Sequence, residues 1–254
     1  MSDIFKYGID QLTVAGAVSI ATGKTKGLLA PEVITRVQTS SGYVQAIVAQ
    51  HTTVYGINTG FGPLCDTKIS EEDTRALKYN ILQSHSVGVG ENVPEEIARL
   101  MLITKVHALA QGYSGVTLAT LERIIWHIEN RVTPLVPEKG SVGASGDLAP
   151  LAHLFLPLIG LGQVWYRGQR TDTAAMMQQE SIRPIVLGPK EGLALINGTQ
   201  FILSFAVKAV QRLHNALEAA DIIGALSLEG LMGTARPFDA RLHAIRPFPD
   251  NQLV

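Results

Sequence analysis

The sequence of 254 residues is poor in the features that mark several classes of protein. Its single cysteine, Cys65, cannot form an internal disulfide, which fits a reducing compartment and predicts a cytoplasmic protein. A formal net charge of −1 provides no basic footprint for nucleic acid or for an anionic membrane. The longest apolar run, residues 154–165, is short for a bilayer and is interrupted by Pro157, Gly160 and Gly162. We therefore expect neither a nucleic-acid partner nor a membrane partner.

Two glycine-containing stretches resemble nucleotide-binding loops but lack the required spacing. Gly23-Lys24-Thr25 would need another glycine five residues before Gly23, and that position is Val18. Residues 56–62 are rich in glycine, but they lack the dinucleotide spacing, and the sequence around them predicts no strand–helix–strand unit. The sequence predicts no nucleotide cofactor.

The apolar periodicity predicts a mainly α fold with a few short strands, in one domain over residues 1–254 with no linker. Residues 8–54 are expected to form short strands and turns around one helix, and Gln163–Arg170 a hairpin that turns at Arg167-Gly168. The predicted helices cover about Pro31–Ser40, Ser70–His85, Pro94–Gly112, Thr117–Asn130, Leu148–Leu161, Asp172–Glu180 and Thr199–Leu226.

The most informative stretch is the turn of small residues Gly143-Ala144-Ser145-Gly146-Asp147. Its glycines allow backbone conformations that a Cβ would forbid, and Asp147 is placed to cap the helix that begins at Leu148. A capped loop before a helix is one interpretation. The other is chemical: the Gly146 nitrogen can attack the Ala144 carbonyl, and loss of two waters then converts Ser145 into an electrophilic methylidene group.

Four blocks of the sequence resemble the aromatic amino-acid ammonia-lyases and aminomutases, above all the histidine-specific members. They follow the family's order: residues 54–62, 84–85, 143–151 and 191–200. The resemblance implies a 4-methylidene-imidazol-5-one made autocatalytically from Ala144-Ser145-Gly146, with no metal and no nucleotide. It also implies a helical ammonia-lyase fold and a small amino acid as substrate.

The resemblance also assigns roles to single residues. Tyr55 would be the general base, Asp147 would help the ring to form, and His85, Asn197 and Gly62 would line the substrate and cofactor site. From the residues alone, the simpler interpretations are a half-buried ring for Tyr55, a histidine favoured at a helix C-terminus for His85, and a turn residue for Asn197, and only the resemblance favours the functional role of Tyr55. A tyrosine base needs its pKa lowered from about 10 to about 7, which costs about 4 kcal/mol.

The function implied is the deamination of L-histidine to urocanate and ammonia. The alternatives are a tyrosine or phenylalanine ammonia-lyase or aminomutase of the same family, or a truncated, non-catalytic paralogue or assembly subunit. Family members continue well beyond Val254 and form homotetramers. We therefore expect the helix from about Thr199 to begin a helical bundle, and this chain to self-associate or to join a C-terminal segment.

Overall fold

The computed structural model describes residues 4–50, 54, 56–57, 80–143 and 146–245. Short strands alternate with helices as far as Asp172, and the described elements after it are helices, so the prediction of a mainly helical fold is confirmed. The elements, in chain order, are β1 (Ile4–Lys6), α1 (Val14–Ala21), β2 (Lys26–Leu28), α2 (Pro31–Ala49), β3 (Val89–Asn92), α3 (Glu95–Leu109), α4 (Leu118–Glu129), β4 (Thr133–Pro134), β5 (Pro137–Lys139), α5 (Leu148–Phe155), β6 (Gln163–Tyr166), β7 (Gln169–Asp172), α6 (Thr173–Gln179), α7 (Glu191–Ile196), α8 (Gln200–Gly230) and α9 (Ala240–Ala244).

The N-terminal region is more helical than the sequence predicts. Helix α1 was not expected, although the Thr13 side chain caps it by accepting a hydrogen bond from the Gly16 N–H. Helix α2 begins at Pro31 as predicted but continues to Ala49, well past Ser40. Hydroxyls of Thr35 and Thr39 donate to carbonyls one turn back within the helix, so its polar stretch does not interrupt it.

Helix α5 is shorter than predicted because of a proline. The sequence predicts a helix from Leu148 to Leu161, whereas α5 ends at Phe155 and continues as a 3₁₀ turn over Leu156–Ile159. Pro157 has no N–H to donate within a helix, and Gly160 ends the turn with φ +81°. Most of the segment is nevertheless buried, as its apolar composition indicates, and Leu161 at its end is exposed.

Helix α3 is the centre of the main core. It packs against α1, α4, α5 and β4, and its buried residues surround the helix axis. Only a helix that is covered on all sides buries residues in this way. Because α5 also packs against α7, the core joins the glycine-rich turn before α5 to the residues that follow α7.

The strands form small sheets at the edges of this core. Strand β1 pairs with β2 in parallel, β3 pairs with β5, and β4, β6 and β7 form an antiparallel sheet of three strands. The β6–β7 hairpin turns at Arg167 and Gly168, both with positive φ, which matches the predicted turn. Asp172 occupies the N-cap position of α6, but its side chain accepts from Gln163 rather than from the helix.

Helix α8 confirms the predicted long helix and extends it to Gly230. The chain divides within it into two compact units, Met1–Val207 and Lys208–Val254. Residues 191–230 are long and apolar enough to cross a membrane by length and composition alone, with 33% of the relevant window buried in the protein. Core helices of soluble proteins have the same length and composition, so this is weak evidence for a membrane span.

Candidate active site

Four of the eight predicted site residues can be located in the structure. Gly146, Asp147, His85 and Asn197 belong to the described part of the chain. The other four lie outside the described residues: Tyr55, Gly62, Ala144 and Ser145. The geometry below therefore concerns the surroundings of the predicted electrophile.

Asp147 caps a different helix from the one that the sequence predicts. It stands at the N-cap position of α5, but its side chain makes no capping bond to that helix. Its Oδ2 instead accepts hydrogen bonds from the backbone N–H groups of Phe201 (3.0 Å) and Ile202 (3.1 Å), in the first turn of α8. Its Oδ1 accepts from the Ser141 hydroxyl at 2.8 Å. This fully buried carboxylate therefore joins the glycine-rich turn to α8.

Gly146 is held against Gly198 so closely that no side chain fits. A Cβ added to Gly146 would lie 2.6 Å from the Gly198 carbonyl oxygen, and its φ of +112° is strained for any other residue. The same carbonyl accepts the Asp147 N–H at 2.7 Å. The turn therefore rests on the backbone just after α7.

Asn197 lies at the C-terminal end of α7 and is fixed through its backbone. Its N–H donates to the Leu193 carbonyl at 3.0 Å, and its own carbonyl accepts from Nζ of Lys105 at 2.8 Å. The residue itself is exposed, so its side-chain amide is accessible. Lys105 comes from the middle of α3 and is only 2% exposed.

His85 ends a helical segment over residues 80–85. Its Nδ1 lies 2.9 Å from the Ile81 carbonyl oxygen, which can only accept, so Nδ1 carries the proton in this contact. Three residues later, the Gly88 N–H donates to Nε2 of His153 in α5 at 3.0 Å. Burial lowers the pKa of His153, consistent with a neutral ring that accepts this bond.

The segment after His85 is close to the glycine-rich turn. The Gly88 Cα lies 3.0 Å from the place that a Cβ on Gly140 would occupy. Helix α5, the residues after His85, and the turn at Asn197-Gly198 are thus close to residues 140–143 and 146–147. The structure brings together the regions of three of the four sequence blocks.

Sequence reasoning missed three residues that hold this region. Ser141 and Lys105 contact Asp147 and Asn197, as described above. Glu191, at the start of α7, is fully buried, and its Oε1 accepts from the N–H (2.7 Å) and hydroxyl (2.9 Å) of Thr117 at the start of α4. The sequence does place Lys105 and Glu191 within apolar helical stretches. This pattern could have identified both residues, since charged residues are rarely buried without a role.

The described residues fit the proposed ring in two ways. Ring closure requires an unshielded nitrogen at position 146, and the contact with Gly198 leaves room there for glycine alone. The turn also immediately precedes α5, whose N-terminal amides favour negative charge on a neighbouring group. Among the described residues, no group of three histidine, cysteine, aspartate or glutamate side chains could hold a metal ion.

Comparison with known proteins identifies the family of this chain. Residues 12–254 match the sequence profile of the aromatic amino acid lyases. The chain belongs to this family. Among the relatives of this chain are the histidine ammonia-lyases of Bos taurus, 46% identical over 239 residues, and of Myxococcus xanthus, 41% identical over 245 residues.

Solved structures of the family share the fold. The histidine ammonia-lyase of Trypanosoma cruzi superposes with a TM-score of 0.88 at 33% identity, covering 97% of this chain and 47% of that one. The tyrosine aminomutase of Streptomyces globisporus also gives 0.88 at 33% identity, covering 96% and 46%. The chain spans 36% of the bovine relative and 48% of the Myxococcus one, whose alignments cover 94% and 96% of this chain.

Proposed function

We propose that this chain forms the electrophile-bearing part of a histidine ammonia-lyase, which converts L-histidine to urocanate and ammonia. The observation that carries the proposal is the Ala144-Ser145-Gly146-Asp147 run in a lyase whose similar relatives are histidine ammonia-lyases. The buried Asp147 and the tight Gly146–Gly198 contact support it, because both constrain the turn that would cyclise.

Ring formation needs only atoms of the turn itself. A bond forms between the Gly146 nitrogen and the Ala144 carbonyl carbon, and that carbonyl oxygen leaves as water with the hydrogens of the Gly146 and Ser145 N–H groups, so that a C=N bond forms between the Ala144 carbon and the Ser145 nitrogen. The Ser145 hydroxyl leaves as a second water with the α-hydrogen of the same residue. The resulting methylidene carbon supplies an electrophile that turns the amino group of the substrate into a better leaving group. No metal and no dissociable cofactor takes part in this proposal.

The remaining residues bind the substrate and move its proton. Tyr55 takes the β-proton, and His85 orients the substrate ring. Asn197, whose side chain is accessible while its backbone is fixed, holds the ring carbonyl or the substrate, and Gly62 lines the same site. Asp147 holds the turn in the geometry that favours cyclisation.

A second function within the family is supported by the comparisons. Structures of tyrosine aminomutase match this chain as well as a histidine ammonia-lyase structure does, with TM-scores of 0.88. Ser84-His85 is the feature that separates the candidates, since phenylalanine-specific relatives carry an apolar pair there, whereas some tyrosine lyases carry histidine. A polar partner at this position suits the imidazole ring of histidine.

The experiment has two parts. In the assembled protein, the peptide that contains Ser145 should be lighter by two waters, and Ser145→Ala should keep the fold and the full mass. Rates on histidine, tyrosine and phenylalanine should rank histidine first, and His85→Phe should shift activity toward phenylalanine. A full-mass peptide from folded, assembled protein would exclude the ring, and a preference for phenylalanine would exclude the substrate assignment.

The active unit that we propose is cytoplasmic and larger than this chain. It is a homo-oligomer, tetrameric as in the family, or a complex of this chain with a C-terminal segment. The support is the exposed apolar surface of α8 and the greater length of the relatives.

A further inference from the structure

Lys105 is a buried amine with one hydrogen-bond partner in the described part of the chain. It stands in the middle of α3, is 2% exposed, and donates only to the Asn197 carbonyl, at 2.8 Å. No carboxylate of the described residues forms an ion pair with it. A lysine amine has at least two hydrogens to donate, and the described residues accept one of them.

A buried lysine of this kind does not stabilise the fold. Burying a charged amine costs more free energy than one hydrogen bond to a neutral carbonyl returns. Burial accordingly lowers the pKa of Lys105 to about 7. A methionine would fill the same space in the core with no such penalty. Lys105 therefore occupies a position where it lowers the stability of the fold. A residue of this kind points to a role other than packing.

The single contact of Lys105 leads directly to the glycine-rich turn. The carbonyl that it holds belongs to the peptide between Asn197 and Gly198. The next carbonyl, that of Gly198, accepts the Asp147 N–H at 2.7 Å and lies 2.6 Å from the Cβ position of Gly146. Two consecutive peptide units therefore connect the amine of α3 to the turn.

The contact also changes the electronic character of the peptide that it holds. An amine that donates to a carbonyl oxygen draws electrons from the peptide, most strongly in its protonated form, and makes the peptide N–H a stronger donor. That N–H belongs to Gly198, whose nitrogen lies 3.1 Å from the Cβ position of Gly146. Among the described residues it donates to no acceptor.

We propose that Lys105 is a positioning residue for the electrophile: it holds and polarises the Asn197–Gly198 peptide, on which Gly146 and Asp147 rest during ring closure. This inference rests on the proposed function, because the ring is the product that it helps to form. It goes further by assigning a role to a residue of α3 whose contact in the described part of the chain is with the Asn197 carbonyl.

The test compares Lys105→Met, which keeps the length and removes the donor, with Lys105→Arg, which keeps a cationic donor. Thr104→Val is the matched control, because Thr104 is the neighbouring buried polar residue and its hydroxyl bonds only within α3. Each variant is expressed and assembled under the same conditions as the wild-type protein. The readouts are the rate at which the Ser145 peptide loses two waters, kcat, and the urea midpoint of unfolding.

The expected result separates positioning from structural support. Lys105→Met should form the ring about a hundredfold more slowly, since small misplacements of reacting groups have effects of this size. Its urea midpoint should be equal to or above that of the wild type, Lys105→Arg should recover ring formation in part, and Thr104→Val should retain it.

Three outcomes would overturn the inference. The first is wild-type ring formation and kcat in Lys105→Met. The second is a Lys105→Met variant that unfolds or has a lower urea midpoint, which would make the amine a structural tie. The third is Lys105→Arg behaving as Lys105→Met does. A wild-type chain that keeps its full mass would instead contradict the proposed function, and the inference with it.

Discussion

The two parts of α8 are similarly apolar in sequence but differ in their surroundings. Over residues 200–207 the helix buries Gln200, Phe201, Ser204 and Val207, and its first amides donate to Asp147. Over residues 208–230 it buries none, and its large apolar side chains are exposed. They are Val210, Leu213, Leu217, Ile222, Ile223 and Leu226.

The difference shows that an apolar helix is stable only where something covers it. The first part is packed by its own chain on the spacing of one helix face, at positions 200, 204 and 207. The first part also exposes Ile202, Leu203 and Phe205, whereas the second part exposes six large apolar side chains and buries none. Since similar relatives are more than twice as long as this chain, their additional residues offer a natural cover for such a surface.

The largest expected effect concerns the exposed part. Leaving roughly 400 Å² of apolar surface in water forfeits on the order of 10 kcal/mol. The chain of 254 residues, prepared by itself, should therefore self-associate or aggregate. Leu213→Lys combined with Leu217→Lys should shift it toward smaller species in analytical ultracentrifugation.

The control for this experiment adds the same charge to less apolar positions of α8. Asn215→Lys combined with Ala219→Lys should leave the association nearly unchanged. A monodisperse monomer of the unmodified chain that makes urocanate would contradict both the expectation and the proposed larger unit.

The packed part of α8 should depend strongly on Asp147. Asp147→Ala leaves two backbone N–H groups and the Ser141 hydroxyl without their buried acceptor, which should lower the free energy of unfolding by about 3–5 kcal/mol. Asp172→Ala is the control, since Asp172 is also an N-cap residue but is exposed and makes no capping bond. Equal losses in the two variants by urea denaturation would contradict the cross-helix role of Asp147.

A third prediction uses a buried histidine of the packed region. Burial lowers the pKa of His127 to about 4, while its Nδ1 donates to the Val132 carbonyl at 3.0 Å. Between pH 6.5 and 4 the unfolded chain binds the proton and the folded chain does not, so stability falls as the pH falls. The loss is about 3 kcal/mol in total.

The measurement is the urea midpoint across this pH range in the wild type and in His127→Asn. The variant should lack this part of the acid sensitivity. His214→Asn, at an exposed position of the second part of α8, serves as control and should follow the wild type. Identical pH profiles for all three proteins would show that His127 does not resist protonation.

The smallest expected effect distinguishes two glycines of the turn. Gly143 has φ +66° and nothing within 4 Å of an added Cβ, so Gly143→Ala should cost about 1 kcal/mol. Gly146→Ala adds the contact with the Gly198 carbonyl and should cost about 2 kcal/mol more, measured by thermal unfolding. Equal costs would mean that the turn is free to move away from Gly198.

The sequence predicted the elements that carry local signals. The start of α4 at Thr117, the hairpin at Arg167-Gly168 and the long helix α8 all depend on residues within a few positions of one another. The end of α2 was wrong because polar residues in a helix can satisfy their hydroxyls on its own carbonyls.

The site was only partly predictable, for a different physical reason. The sequence identified Asp147 as a helix cap. Its carboxylate, however, accepts hydrogen bonds from N–H groups that are 54 and 55 residues further along the chain. Likewise, nothing near Lys105 in sequence indicates the Asn197 carbonyl, 92 residues away. Short-range patterns show that such a residue is unusual, and only the packing of α3, α5 and α7 shows what it contacts.

The long reach of Asp147 has a consequence for when the protein can mature. During synthesis, the turn at residues 143–147 is made before Phe201 and Ile202, so its carboxylate at first has no helix to hold. The arrangement that favours cyclisation exists only once the later segment has folded back onto the turn. Under the proposed chemistry, folding acts as a checkpoint: a nascent or misfolded chain carries an ordinary serine, and the reactive group arises only where a finished pocket can contain it.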